Sequence, residues 1–590
     1  MIFHGLPVSK GIAIGRAFVY EPFKPNVTER IIDAAEAAEH TKRLDEVLAA
    51  AGKELELLQQ KMAGEDPDKV GIFEAHQDIL TDTAVIEEIL ELINKELYAG
   101  EYAIETIYEN YFRLFSEMDD ALMRERCADF RDVKNRMLRL WMQQDTPAAL
   151  QTAQVGLDAP SIIFAKDLLP SDTAALDRKT IQAFVTETGG YTSHSAIIAR
   201  SYEIPAILGV EGFMDKVKNG DTVIVDAVEG ILILEPSAAE IAQYTVKYQN
   251  YKQEREEIKK YRAIEPLTAD GERISVCLNI GSASEEELAA AAFTDGSGLF
   301  RSEFLFMSGR ELPGENEQFQ IYKKAAETFG KKQVILRTLD IGGDKSLECM
   351  ELPKEENPFL GCRALRLCFE RPDIFKTQLR AALRAGVYGN LALMFPMVGS
   401  LEDLRRAKEF LAASRRELES EKIPCNKNMA IGIMIEIPAI ALIADRVAKE
   451  VDFASIGTND LCQYLTATDR MNPGLAPYYQ SYHPSMFGLI NQVSQAFIKA
   501  GKTLSICGEM GGDPAAVPAF IGMGIKKFSM SASGVPVIKR MLTRLTMEGA
   551  KKTAAAILNM DTAGEIETYL KQQLSQRMEG EYVRKENGDH

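Results

Sequence analysis

From residue 5 to residue 20, "GLPVSKGIAIGRAFVY" alternates glycine with apolar side chains, a pattern that predicts one or two short strands. The period then changes. "AAEAAEHTKRLDEVLAAAGKELELLQQKM" sets leucine and alanine at steps of three and four with charges between them, as in a half-buried helix. Further helices are expected near 69–81, 83–97, 101–118 and 120–144, so about 32–145 reads as a helical bundle inserted between strands. Short β-rich runs return at 161–165, 181–185, 205–209 and 222–235, and with 5–20 they predict a small mixed α/β domain. Residues 237–262 then read as one charged helix, roughly 39 Å long at the usual rise, a spacer between moving parts.

The second half has a repeating order. Apolar runs at 273–281, 296–306, 333–342, 391–399, 429–438, 452–461, 503–510 and 524–533 alternate with helical stretches. Eight buried strands alternating with helices predict a (β/α)8 TIM-type barrel. The expected class is therefore an α/β multidomain protein, a small mixed domain with an all-α insert followed by a barrel.

Length agrees, because 590 residues exceed a single core and imply two to four domains. With 68 basic and 87 acidic side chains the net charge is −19, which argues against general nucleic-acid binding and suits solubility or a basic protein partner. The apolar runs near 391–398 and 429–444 are short or interrupted by Glu436, so no membrane insertion is expected. No basic start leads into a long apolar stretch, and the eight cysteines form no CxxC pair or zinc spacing. Reduced thiols in a cytoplasmic protein are the expectation.

Candidate chemistry gathers in two places. In "GGYTSHSAIIAR", residues 189–200, the glycines permit a tight turn and Thr192 or Ser193 can cap a helix. His194 then falls in its first turn, where unpaired N–H groups favour an anion. The predicted barrel strand ends carry Arg301, Arg337, Glu436, Asn459, Asp460, Cys507 and Glu509 behind apolar runs. In such barrels the C-terminal strand ends form the active site. Arg301 and Arg337, joined by Arg363 and Arg470 in following loops, match a phosphate or carboxylate through forked hydrogen bonds. Glu436 and Asp460 offer hard oxygens for Mg²⁺ shared with a phosphorylated substrate. Cys507 is either a buried structural thiol or, beside anion-binding groups, a proton donor. "EDPDKVGIFEAHQDILTD", residues 65–82, places Asp68, Glu74, Asp78 and Asp82 around Ile72 and Phe73. That is either a solvated face or a docking face with an apolar centre and an acidic rim.

The motifs "GGYTSHSAIIAR", "GLFRSEFLFM", "RTLDIGGDK", "NPFLGCRALR", "MIEIPAI", "FASIGTNDLCQY", "CGEMGGDP" and "IFEAHQDIL" occur in this order. Along nearly its whole length the chain resembles the phosphoenolpyruvate–protein phosphotransferase family, enzyme I of the bacterial sugar phosphotransferase system. The resemblance implies that His194 is phosphorylated through Nε2 and that Cys507 protonates the enol carbon. It implies that Glu436 and Asp460 bind Mg²⁺, that Arg301, Arg337, Arg363, Arg470, Asn459 and Asp460 hold phosphoenolpyruvate, and that Thr173 lies near the phosphohistidine. The helical insert would dock the small histidine phosphocarrier protein (HPr) with Asp68, Ile72, Phe73, Glu74, Asp78 and Asp82, and the barrel would form a homodimer.

The implied domains are a phosphohistidine swivel domain (1–22 and 146–236), the carrier-docking insert (23–145), a linker (237–262), the substrate barrel (263–575) and a polar tail (576–590). Three positions depart from the family pattern: Cys362 where an aromatic residue is usual, Met471 where glycine is common, and Ser195 in place of threonine. The dikinase and synthase relatives with the same histidine domain and barrel need an ATP-binding domain, and no Gly-rich phosphate loop is visible ahead of His194. The remaining alternative is a phospho-signalling paralogue feeding a regulatory branch.

Overall fold

The computed structural model describes residues 1–20, 23, 25–65, 70–116, 121–142, 160–168, 180–190, 193–201, 204–307, 311–342, 350, 355–475 and 477–586. They form two compact units, Met1–Glu254 and Arg255–His590.

In the first unit β1 (Ile2–His4), β2 (Leu6–Ser9), β3 (Ile12–Val19), β4 (Ser161–Ala165), β5 (Ile181–Thr186), β6 (Ala206–Leu208), β7 (Thr222–Asp226) and β8 (Ile231–Leu234) build one sheet. Its order is β1-β8-β7-β3-β4-β5-β6-β2, parallel from β3 to β6 and antiparallel elsewhere. β1 and β2 lie at opposite edges although Gly5 alone separates them, so the sheet curls until its edges meet. The Gly5 N–H donates to the Gly230 carbonyl at 3.0 Å, and a Cβ at Gly5 would stand 2.4 Å from Val210. The single run expected at 222–235 is instead the hairpin β7–β8, turned at Gly230 with φ +71°.

Between β3 and β4 the chain forms α1 (Ala34–Glu65), α2 (Val70–Leu80), α3 (Thr83–Asn94), α4 (Gly100–Ser116) and α5 (Ala121–Trp141). Leu44, Val47, Ala51 and Leu55 of α1 meet Ile89 and Ile93 of α3 and Val133 and Met137 of α5 in one core. Their three- and four-residue spacing is the signal that the sequence displays. α6 (His194–Ser201) joins β5 to β6.

α7 (Ala238–Lys260) has no buried residue. Its Lys247 reaches the fully buried carboxylate of Asp226 at 2.5 Å. In the turn just beyond α7, the Arg262 carbonyl accepts from buried Lys539 at 2.8 Å, as does the Phe293 carbonyl.

The second unit holds a closed, fully parallel barrel of β9 (Ser275–Ile280), β10 (Gly296–Arg301), β11 (Gln333–Arg337), β12 (Leu391–Phe395), β13 (Ile431–Ile435), β14 (Phe453–Ile456), β15 (Thr503–Ile506) and β16 (Lys527–Met530). Helices separate the strands, as the alternating pattern predicts. Several strands are shorter than expected; beyond Arg301, for example, the chain turns into a helix over Glu303–Met307. Among the described residues no helix is long and apolar enough to cross a membrane.

Candidate active site

Strand side chains alternate between faces, so the inward set can be read two residues at a time. Leu299, Ile335 and Met434 belong to the cluster that fills the barrel, with Met394, Phe453 and Cys507. Two positions further along the same faces stand Arg301, Arg337 and Glu436. The apolar interior therefore ends in a charged layer at the C-terminal end. There a cavity of ≈ 510 Å³ is lined by Arg301, Arg337, Glu436, Asn459, Asp460, Arg470 and Cys507, with Glu303, Asp340, Tyr479 and Glu509 among its other walls.

Each group is held by a local cause. Met397, in the left-handed region at φ +51°, donates its N–H to Glu436 Oε1 at 2.6 Å. Glu436 Oε2 is buried without a hydrogen-bond partner. A Cβ at Gly457 would approach that oxygen to 2.9 Å, so glycine there leaves room beside it. Burial, and then Asp460 and Asp340, raise the Glu436 carboxyl well above the usual carboxylate range, against the pull of Arg337 and Arg363. Asp460 sits in the first turn of the helix Thr458–Thr466, which leaves β14 directly. Asn459 receives the Glu509 N–H at 3.0 Å and returns its amide to the Glu509 carboxylate at 3.2 Å. Arg470 Nη2 lies 3.9 Å from Asp460 Oδ1.

Cys507 is 2% exposed and faces the Ile456 carbonyl at 3.6 Å. Burial pushes its thiol up to about 11, only partly offset by Ser455, Arg337 and Arg301, so it is protonated at neutral pH.

The arginines differ. Arg337 contacts the Glu303 carboxylate and lies 2.9 Å from Asp340 Oδ2. Arg363 stands behind the cavity wall, 1% exposed, 2.9 Å from Asp340 Oδ1 and 3.3 Å from Asp460 Oδ1. Glu303 and Asp340 escaped the sequence reading because acids past a strand end resemble solvated loop residues. The signal was an acid two or three positions after each strand-end arginine, in "RSE" and "RTLD".

In the first unit α6 starts at His194, and Ser193 caps it by accepting the Ala196 N–H at 3.3 Å. Gly189, at φ +109°, makes the turn before it. Ser195 is buried and donates to the Leu168 carbonyl at 3.3 Å. The His194 side chain, Thr192 and Thr173 lie outside what is described.

The expected docking face needs one correction. Phe73 is 1% exposed and packs edge-on against His76, because α2 turns this position into the bundle core; it offers no surface to a partner. Glu74, Asp78 and Asp82 are exposed, and Asp82 also caps α3 by accepting the Ala84 N–H at 2.9 Å. Asp68 and the Ile72 side chain lie outside the described structure. Of the other departures, Cys362 is half-buried, and its N–H donates to the Glu355 carboxylate at 2.9 Å. Met471 is exposed at the cavity lining.

Among the described residues no three His, Cys, Asp or Glu side chains converge as a self-sufficient metal site. The unpartnered Glu436 oxygen and the Asp460 carboxylate on one cavity wall nevertheless fit a hard cation that completes its shell with substrate and water.

Models of phosphoenolpyruvate-utilising enzymes match the chain in three parts: the N-terminal domain over residues 4–126, the mobile domain over 157–230, and the phosphoenolpyruvate-binding domain over 255–547. A Geobacillus stearothermophilus protein named phosphoenolpyruvate-protein phosphotransferase is 42% identical over 577 residues, covering 97% of this chain and 98% of the relative. The Bacillus subtilis protein of the same name is 39% identical over 569 residues, covering 96% and 99%. A solution NMR structure of an Enzyme I (nEIt) protein matches 42% of this chain and 99% of its own, at 33% identity with a TM-score of 0.37.

Proposed function

The chain belongs to the phosphoenolpyruvate–protein phosphotransferase family, and from that premise we propose that it carries the phosphoryl group of phosphoenolpyruvate to its own His194 and on to a histidine of the small phosphocarrier protein HPr. Pyruvate is released, and the transfer opens phosphotransferase-system sugar uptake. The observation that carries this reading is the cavity where guanidiniums, two metal-type carboxylates and a protonated thiol meet at the barrel strand ends.

Arg301, Arg337 and Arg470 bind the phosphate and carboxylate of the substrate through charge-assisted forks, and Asn459 and Asp460 fix its orientation. Neutral His194 attacks phosphorus through Nε2; the N–P bond forms as the bond from phosphorus to the enol oxygen breaks. The electron pair stays on the enolate. Cys507 then gives its proton to carbon three, completing pyruvate, and the thiolate recovers a proton from water. Glu436 and Asp460 would hold Mg²⁺, which supplies charge neutralisation at the phosphate and enolate oxygens. Thr173 would support the phosphohistidine.

Glu74, Asp78 and Asp82 suit encounter with a carrier that presents a basic surface. The same reading includes a homodimer through the barrel, a cytoplasmic location, and a swing of the His194 domain between barrel and carrier. The test is pyruvate release from phosphoenolpyruvate with HPr and Mg²⁺, followed by ³²P on HPr. No label on the chain or on HPr would reject the reading.

A further inference from the structure

We propose that Asp340 is a positioning residue: it holds Arg337 directly and, through Arg363, holds Asp460, so that the substrate-binding and metal-binding walls of the cavity keep one register. This rests on the phosphotransferase reading and adds a residue to it.

Asp340 is 1% exposed, and its two oxygens serve different cations. Oδ2 lies 2.9 Å from Arg337 Nη1 and Oδ1 lies 2.9 Å from Arg363 Nη2. Arg363 continues the chain of charges, with Nη1 3.3 Å from Asp460 Oδ1 and 3.5 Å from the Tyr464 hydroxyl. Its ring-facing side lies over Phe359, 5.7 Å from the centroid. Both terminal nitrogens of Arg363 are thus occupied behind the cavity wall, the arrangement of a bridge between two carboxylates.

The backbone is built for it. Gly342, two residues after Asp340, takes φ +104°, and a Cβ there would meet Arg363 Cβ at 2.7 Å. The Ala364 N–H donates to the Ile341 carbonyl at 2.8 Å. The loop that carries Asp340 and the segment that carries Arg363 are stitched together at the point where the ion pair forms.

The physical need is specific. Cations gathered for an anionic substrate repel one another when the cavity is empty, and a buried guanidinium left without a counter-charge is costly. A carboxylate on one arginine would satisfy charge alone. A carboxylate shared by two also fixes their separation, and fixes Asp460 relative to Arg337. Without Asp340, Arg363 would turn both nitrogens to Asp460, drawing that carboxylate away from a cation and leaving Arg337 to its remaining partner, Glu303.

Asp340→Asn tests this, because it keeps shape and one acceptor oxygen while removing the charge. In the full chain with HPr and Mg²⁺, kcat for pyruvate release should fall on the order of 10²-fold, the usual effect of misplacing reacting groups by about an ångström. The KM for phosphoenolpyruvate should move by no more than about threefold, the signature of a group acting through others. Mn²⁺ binding to the substrate-free protein, read by electron paramagnetic resonance, should weaken about tenfold, as when an outer partner of a metal ligand is lost. Phosphate exchange between His194 and phosphorylated HPr should stay at the wild-type rate, since it uses no barrel residue.

Wild-type kcat and Mn²⁺ affinity in the variant would overturn the inference, as would a raised KM at unchanged kcat. Gly342→Ala is the second arm: it displaces Arg363 without altering any charge, and the same kcat loss is expected. If both variants fail to fold, Asp340 serves stability alone and the inference falls. A wild-type chain that releases no pyruvate would instead reject the phosphotransferase reading itself.

Discussion

Arg301 and Arg337 stand opposite one another in register on β10 and β11, two guanidiniums on adjacent strands. Strand spacing alone brings such neighbours within about 5 Å at the backbone. They are not equivalent. Arg337 is held by Glu303 and Asp340, whereas no carboxylate among the described residues pairs with Arg301. Arg301→Gln should therefore raise the KM for phosphoenolpyruvate by roughly 10- to 100-fold, the worth of a charge-assisted hydrogen bond, with an unchanged melting temperature. Arg337→Gln should also destabilise the barrel, by about 3–5 kcal/mol, because it takes a counter-charge from buried Glu303 and one of two from buried Asp340. Steady-state kinetics and denaturant melts on the two variants check the contrast; equal melting would contradict it.

Cys507→Ala should retain phosphoenolpyruvate binding, measured by calorimetry, and lose most pyruvate release. A variant that binds and turns over normally would remove the thiol from the proton transfer.

The thiols of Cys277 and Cys507 are both pushed up to about 11 by burial. An unfolded thiol ionises near pH 8.5, so between these values the folded chain keeps a proton that the unfolded chain has lost. The contribution of these two thiols should be level below pH 8 and fall as pH rises through 9 to 11, by up to about 1.4 kcal/mol per unit for each thiol. Urea melts from pH 7 to pH 11 give this slope directly. A flat profile would mean that the thiols ionise without cost.

On the helical insert, Glu74→Lys with Asp78→Lys should raise the KM for HPr and weaken its salt dependence while leaving the fold intact. Phe73→Ala should do something different, lowering bundle stability by about 3–5 kcal/mol, as the loss of a buried ring does. Trp141, the one tryptophan in the sequence and itself buried in the bundle, reports that unfolding by fluorescence. Unaltered carrier kinetics in the charge-reversed variant would move the docking face elsewhere.

A chain of residues 1–262 should exchange phosphate between His194 and phosphorylated HPr yet accept none from phosphoenolpyruvate. Labelling of that fragment by phosphoenolpyruvate alone would break the division of labour between the units.

Much of this was legible because burial leaves a periodic trace. The eight apolar runs of the barrel and the three- and four-step spacing of Leu44, Val47, Ala51 and Leu55 follow from which faces avoid water. The inward parity that puts Arg301 two residues beyond Leu299 is equally a property of sequence. What stayed hidden depends on partners far along the chain. Asp340 and Glu303 look like ordinary loop acids until Arg337 closes on them, and Arg363 looks open to substrate until Asp340 and Asp460 occupy it. Phe73 misled for a related reason: one helical turn decides whether a phenyl ring faces a partner or its own bundle, and the acidic neighbours of this ring suggested the wrong face.

The seam at Gly5 sets an order of events during synthesis. Residues 2–9 supply both edges of the first sheet, and their neighbours β8 and β6 end at Leu234 and Leu208. At about 5–20 residues per second, the N-terminal segment waits some ten to fifty seconds on the ribosome before its partners emerge. The helical insert, whose pairings are local, can fold during that wait, as low-contact-order structure does. The nascent chain should thus carry a finished bundle between two unpaired strand segments. Those edges stay without their neighbours until β6 and β8 have been made, and translation pauses before Leu234 would lengthen their exposure.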